Sequence, residues 1–118
     1  MRDTVQEADL REICTLPEQF PSSGLSWVDL VRQSPFPGNR DCLEEGHLAD
    51  FLRANPEFIE LWLRWSADKR ATPSPFFRES DTRYEVGYVT TGGGTEPSDF
   101  FDEPFLPCAR FILRELAV

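Results

Sequence analysis

The sequence predicts an α+β fold, in which several helices pack on a small antiparallel β-hairpin or sheet and a further helix ends the chain. Two patterns predict this class. Apolar residues recur at intervals of three and four through much of the first 68 residues, as on one face of a helix. Residues 84–89 alternate from side to side, as in a half-buried strand. Because 40% of the 118 residues are hydrophobic, we expect one globular domain over residues 1–118.

The helix-rich region, residues 1–68, is predicted to begin with a short helix over residues 4–14. Thr4 and Glu7 have the spacing of a capping box, in which a hydroxyl and a carboxylate each satisfy an amide group at the start of a helix. Apolar side chains follow at rough helical spacing and would form the buried face: Val5, Leu10, Ile13 and Cys14.

Proline and glycine interrupt the chain twice after this helix. The segment LPEQFPSSG, residues 16–24, contains two prolines and a glycine and therefore predicts a break. A second short helix is expected to start at Ser26 and to end before residue 34. Residues 34–39, SPFPGN, are expected to form a loop, because a proline restricts the backbone of the residue before it.

Two stronger helical segments follow. One opens at Asp41 and has an apolar face that includes His47. The next is predicted over residues 56–67, with Asn55 as its N-cap and Pro56 in its first turn, where the missing amide proton costs nothing. Its apolar residues cover most of the circumference, so we expect this helix at the centre of the fold. The remaining polar stripe consists of Glu57, Glu60, Arg64 and Asp68.

The β structure is expected as a hairpin over residues 75–90, followed by a loop rich in glycine and acidic residues at 91–103. A C-terminal helix is predicted over residues 104–117, with Asp102 as its cap and Pro104 in its first turn. Because a two-stranded hairpin is only marginally stable alone, a helix must cover its inner face.

The charge of the chain limits the classes of partner. Twelve basic residues against 21 acidic ones give a net charge of −9 at pH 7. This field disfavours nucleic acid and anionic membrane surfaces and favours a basic protein partner. The first 13 residues are too highly charged for a signal peptide, and the longest apolar run, residues 58–65, is too short to cross a bilayer. We therefore expect a cytoplasmic protein without membrane association.

Catalytic and cofactor motifs are poorly represented, so we expect a non-enzymatic protein without cofactor or metal. The glycines at 92–94 lack the lysine of a phosphate-binding loop, and the acids behind them would repel phosphate. Those acids also lack the ligand order of an EF-hand. The three cysteines have neither disulfide-framework nor zinc-site spacing. The single histidine, His47, lies on an apolar helix face, where a structural role is the usual one.

The best candidate for a functional site is the acidic segment of the loop, which surrounds two adjacent aromatic residues. A ring can fill a pocket on a partner while carboxylates pair with arginine at the rim. We expect one of the two rings to anchor the loop in the core and the other to face the partner. The predicted contact residues are Glu96, Asp99, Phe100, Phe101, Asp102 and Glu103, extended by Glu57 and Glu60 if the polar stripe of the central helix is exposed.

In size, acidity and lack of catalytic equipment, the chain resembles the small immunity and inhibitor proteins that bacteria use against toxins or nucleases. This likeness of class implies an inhibitory binding module for a basic partner. One alternative is a small enzyme or ligand-binding domain that uses His47 and nearby carboxylates in a pocket walled by Trp62, Trp65 and Tyr84. Another is a self-associating structural subunit, since the sequence leaves the oligomeric state open.

Overall fold

The computed structural model of the chain describes residues 5–68, 74–92, 94 and 98–117, and within these residues it contains seven helices and a three-stranded antiparallel sheet. The predicted α+β class is confirmed. The helices are α1 Glu7–Cys14, α2 Leu16–Ser23, α3 Trp27–Gln33, α4 Phe36–Asn39, α5 Glu45–Ala54, α6 Glu57–Asp68 and α7 Phe105–Leu116. The strands are β1 Ser74–Ser80, β2 Arg83–Val89 and β3 Asp99–Phe101, in the order β1-β2-β3.

The first correction to the sequence analysis is α2, which occupies the predicted break. Pro17 lies in the first turn, where a helix needs no amide donor from it, so only Pro21 interrupts the interior. The helix ends at Gly24, whose φ of 70° is the left-handed conformation that glycine adopts without strain. Packing compensates for the interruption, because Phe20 contacts the rings of Trp27 and Trp65.

The second correction is α4, a single turn where a loop was predicted. It forms because Phe36 is buried in the core and Asn39 donates its side-chain amide to the Pro35 carbonyl oxygen at 2.8 Å. By contrast, α3 begins as predicted. Its N-cap is Ser26, whose hydroxyl accepts from the amide of Asp29 at 3.2 Å.

Three predicted helix starts are wrong in detail. α1 begins after Gln6, and the predicted capping residue Thr4 lies outside the described residues. α5 begins at Glu45 rather than at Asp41, because residues 40–42 form turns. Asn55 ends α5 instead of capping α6, since its side-chain amide donates to the Phe51 carbonyl oxygen at 2.9 Å. Its side-chain oxygen accepts from Arg11 at 3.0 Å.

The sheet has an inner face towards α7 and an opposite, outer face. The hairpin of β1 and β2 places Phe77 opposite Val86, and β3 adds Phe101 opposite Tyr84. Alternation along the strands puts these four side chains on the inner face. The hairpin turn contains Asp81, whose φ of 56° is left-handed. β3 lies inside the segment predicted as the 91–103 loop, so the sheet has one strand more than the hairpin expected from the sequence.

The core is built around α6 and α7, as predicted for α6. Trp62 of α6 is fully buried and donates its indole N–H to the Cys14 carbonyl oxygen at 3.0 Å. Its ring lies edge-on to Phe111 of α7, with the centroids 6.0 Å apart, and Phe111 in turn contacts Phe77 of the sheet at 6.0 Å. This chain of rings joins the helices to the inner face of the sheet.

Two further tryptophans converge on one residue of α7. Trp27 donates its indole N–H to the main-chain carbonyl oxygen of Glu115, and Trp65 donates to its carboxylate, each at 3.0 Å. The centroids of the two indole rings are 4.4 Å apart. These bonds connect α3 and α6 to α7 and give Glu115, although buried, a hydrogen-bonded environment. None of the helices described is both long and apolar enough to span a bilayer.

Candidate protein-binding surface

Strand β3 separates the two predicted aromatic contact residues, because neighbouring residues of a strand point to opposite faces. Phe101 lies on the inner face, where it is half-buried and the guanidinium of Arg110 lies 5.3 Å from the centroid of its ring. Phe100 lies on the outer face, and 51% of its surface is exposed. One ring thus packs on the fold while the other faces solvent.

The three described carboxylates predicted near β3 are exposed, and each has an arginine of this chain beside it. Asp99 contacts Arg110 at 2.9 Å. The other two described acids follow β3, and their pairs are longer: Asp102 with Arg83 at 3.6 Å and Glu103 with Arg53 at 3.9 Å. Glu96 lies outside the described residues. The surface around β3 is therefore of mixed charge, less acidic than the sequence of the segment suggests.

Arg110 is the most firmly held of these arginines. Its guanidinium donates to both carboxylate oxygens of Glu45, at 2.9 and 3.2 Å, and to Asp99. Hydrogen bonding to Glu45, together with the charges of Glu45 and Asp99, raises the pKa of Arg110 despite its partial burial. Arg110 thus connects α5, α7 and β3. The sequence analysis missed this role, because Arg110 and Glu45 are 65 residues apart.

On the outer face, the cross-strand neighbour of Phe100 is a buried carboxylate, Glu85. It accepts a hydrogen bond from Arg78 Nε at 2.7 Å and another from the hydroxyl of Ser98. Burial alone would raise the pKa of Glu85, but these hydrogen bonds and the charge of Arg78 outweigh it and lower the pKa below its ordinary value. Glu85 therefore links β2 to β1 and to Ser98, the residue before β3. It lies beside Phe100 on the outer face of the sheet.

This arrangement predicts how Glu85→Gln changes stability with pH. Because the pKa is lowered in the folded protein, the charged carboxylate stabilises the fold above the unfolded-state pKa, and the contribution disappears as the pH falls through the folded-state pKa. We expect the variant to lose about 1–3 kcal/mol in free energy of unfolding at pH 7, and the loss to shrink towards zero in strong acid.

Urea denaturation of both proteins between pH 2.5 and 7 measures this difference. Glu12→Gln is the matched control, since Glu12 is exposed and its side chain makes no ion pair with a described residue; we expect a change within about 0.5 kcal/mol at every pH. A Glu85→Gln deficit that stayed constant down to pH 2.5 would contradict the assigned charge state.

The two predicted contact residues on α6, Glu57 and Glu60, are both exposed. Glu60 is within electrostatic range of Tyr84, the cross-strand neighbour of Phe101. Burial, then the charge and hydrogen bond of Glu79, then the charge of Glu60 raise the pKa of Tyr84. Glu57 lies one turn earlier and lines a groove of about 980 Å³ between α2 and α6.

The residues of the alternative catalytic site are not gathered in a described cavity. His47 is half-buried on α5 and lines neither the 980 Å³ groove nor a second depression of about 530 Å³ beside β1. Burial raises the pKa of Cys14 to about 12 and that of Cys108 well above its usual range, so both stay protonated thiols at neutral pH. Among the described residues, no three acidic, histidine or cysteine side chains cluster as metal ligands would.

Comparisons of the chain with protein-family models, with curated proteins and with solved structures found no match. The function of the chain is therefore inferred from the residues of the fold itself.

Proposed function

We propose that this protein is a small acidic, non-enzymatic binding module of the cytoplasm that docks on a basic region of another protein, as an inhibitor or immunity protein docks on a toxin or nuclease. The observation that carries the proposal is the exposure of Phe100 on an edge strand whose neighbouring side chains are held in place. An exposed ring on an ordered strand can fill a partner's pocket with little loss of conformational entropy.

The carboxylates beside this ring fit the role even though they have arginine neighbours. Asp102 and Glu103 keep 90% and 71% of their side-chain surface exposed, and their ion pairs of 3.6 and 3.9 Å join exposed groups. Such pairs contribute about 0–1 kcal/mol each, so an arginine of a partner can replace the internal one at little cost. The net charge of −9 would attract the basic partner over a longer range and repel nucleic acid.

Affinity capture tests this proposal. With the intact protein as bait in lysate of its native organism, we expect a specific basic protein at low salt that elutes as salt rises, because screening weakens the attraction. Phe100→Ala should reduce recovery about tenfold or more, as loss of a hot-spot ring does. Asp102→Asn should reduce recovery mainly at low salt. If the captured partner is an enzyme or toxin, an equimolar amount of the protein should block its activity.

Matched controls separate the surface from general charge and hydrophobicity. Tyr88→Ala removes the other large exposed ring, which is 38% exposed and lies below the Arg114 guanidinium, and Glu12→Gln removes one exposed charge elsewhere. Neither should change recovery. The proposal would be contradicted if Phe100→Ala captured the partner as well as the unchanged protein does. It would also be contradicted if no basic partner with salt-sensitive binding were captured. A second copy of the chain as the only partner, detected by light scattering, would favour the self-associating alternative.

A further inference from the structure

A cavity on a different part of the molecule lies between α2 and α6. It is an open groove of about 980 Å³, a volume at the upper end of the range typical of ligand clefts, about 300–1,000 Å³. It accommodates several side chains at once. Its described lining residues are Pro17, Glu18, Phe20, Pro21, Glu57, Phe58, Leu61, Arg64, Trp65 and Asp68.

The floor of this groove is apolar and held in place. Phe20 and Trp65 meet edge-on with their centroids 5.4 Å apart, and Leu61 lies beside them, half-buried. Trp65 cannot swing freely, because its indole N–H donates to the buried carboxylate of Glu115 at 3.0 Å. A rigid aromatic and aliphatic floor of this kind receives apolar side chains with little loss of conformational entropy.

The rim of the groove is acidic, and its charge is not cancelled within the described fold. Glu18, Glu57 and Asp68 are exposed, and none of them forms an ion pair with another described residue. Arg64 supplies the one opposing charge among the described lining residues. This differs from the surface around β3, where each described acid has an arginine partner. Among its described lining residues, the groove thus combines an apolar floor with a surplus of two negative charges.

We infer that the groove between α2 and α6 binds an amphipathic helical segment of another protein, with two or three apolar side chains on the floor and lysine or arginine at the acidic rim. Apolar anchors at i, i+3 or i+4, and i+7 are the pattern that such a groove accepts. The rim selects basic flanks, because carboxylates opposite an acidic segment would repel it. Phe100 is not among the described lining residues of this groove, so the groove proposal and the proposal for the Phe100 surface can be tested independently.

Selection from a displayed library of random 16-residue peptides, with the intact protein as target, tests the inference and does not require that the partner be identified first. We expect enriched peptides to share leucine, phenylalanine or tryptophan at helical spacing together with lysine or arginine. A synthetic copy of the most enriched peptide is then titrated, with fluorescence anisotropy of a dye on the peptide as the signal. Rising salt should weaken its binding.

Variants assign the binding to the groove. Glu57→Lys, on the rim, should lower the affinity for the peptide about tenfold or more. Leu61→Asp, on the floor, should abolish measurable binding. Glu12→Lys makes the same charge change on an exposed residue of α1 that is not among the groove residues, and should leave the affinity within about twofold. Circular dichroism confirms that each variant is folded; the exposed Glu57 keeps the test valid if Leu61→Asp does not fold.

Three outcomes would overturn the inference. One is the absence of any enriched peptide. Another is enrichment of peptides that bind Glu57→Lys and Leu61→Asp as tightly as the unchanged protein. The third is a concentration-dependent dimer in light scattering that Leu61→Asp converts to monomer, which would assign the groove to a second copy of the chain. Phe100→Ala should leave the peptide affinity unchanged, which distinguishes this site from the surface around β3.

Discussion

Trp62→Ala is expected to lower the free energy of unfolding by about 3–5 kcal/mol, the range observed for removal of a large buried aromatic side chain. Trp62 is fully buried, and its ring lies between Trp27 at 6.3 Å and Phe111 at 6.0 Å. Alanine leaves a cavity at the junction of α3, α6 and α7. It also removes the donor to the Cys14 carbonyl oxygen, which stays buried without its indole partner.

Urea denaturation at neutral pH measures this loss, and a thermal melt should show a midpoint lowered by roughly 10–20 °C for a domain of this size. Trp62→Phe separates the two contributions, since it keeps most of the ring volume and loses the hydrogen bond; we expect about 1–3 kcal/mol. Arg64→Ala, on the exposed side of the same helix, should change stability by no more than about 0.5 kcal/mol. A Trp62→Ala loss below about 1 kcal/mol would show that Trp62 is not at the centre of the core.

Gly87→Ala is expected to destabilise the protein by about 1–3 kcal/mol, the cost of forcing an extra atom into a packed site. A Cβ atom at residue 87 would come within 2.7 Å of Ser98 Cβ and 3.1 Å of the Phe76 ring. Ser98 cannot yield by rotating a side chain, because the clash involves the first atom of that side chain. The chain before β3 must move instead, and the hydrogen bond from Ser98 to Glu85 is then weakened.

The direction of the stability change, a loss for Gly87→Ala, is the most informative result to test. Gly46→Ala makes the same substitution in the first turn of α5, where a Cβ atom meets nothing within 4 Å, and it should stabilise the protein by up to about 1 kcal/mol. Urea denaturation of the two variants under identical conditions should therefore move the midpoints in opposite directions. A stabilising Gly87→Ala would mean that Ser98 does not pack on β2 as described.

The two substitutions also bear on the proposed surface. Gly87 and Glu85 are neighbours on the outer face of β2, and both contact Ser98, which directly precedes β3. Displacement of Ser98 should therefore loosen the strand that holds Phe100. We expect Gly87→Ala to weaken partner capture as well as stability, whereas Trp62→Ala, under conditions where it stays folded, should leave capture intact.

Local patterns in the sequence were sufficient for much of the fold. The position of α6, the start of α3 at Ser26 and the hairpin of β1 and β2 follow from apolar spacing and from side chains that bond within a few residues. The division of Phe100 and Phe101 into one exposed and one packed ring was also expected, although the sequence placed both residues in a loop and not in a strand. Each of these features depends on neighbours along the chain.

Other features escaped the sequence analysis because their causes lie far along the chain. β3 has only three residues, too few for a visible alternation, and exists through its pairing with β2. α2 forms in spite of Pro21 because Phe20 packs on Trp27 and Trp65. The predicted capping residue Asp102 contacts Arg83 instead, and the helix after it begins at Phe105 without a side-chain cap. No local pattern identifies such partners.

Hydrophobic periodicity and net charge are properties of the chain before it folds, so the α+β class, the acidity and the helices and strands with a clear period could be predicted from the residues alone. Which acids have an arginine partner depends instead on how the folded elements pack against one another. Arg110, which also pairs with Asp99, bonds to Glu45 across 65 residues of sequence, and Trp27 bonds to Glu115 across 88. Contacts of such separation depend on how the elements pack, so the acidic groove between α2 and α6 became visible only once the helices were in place.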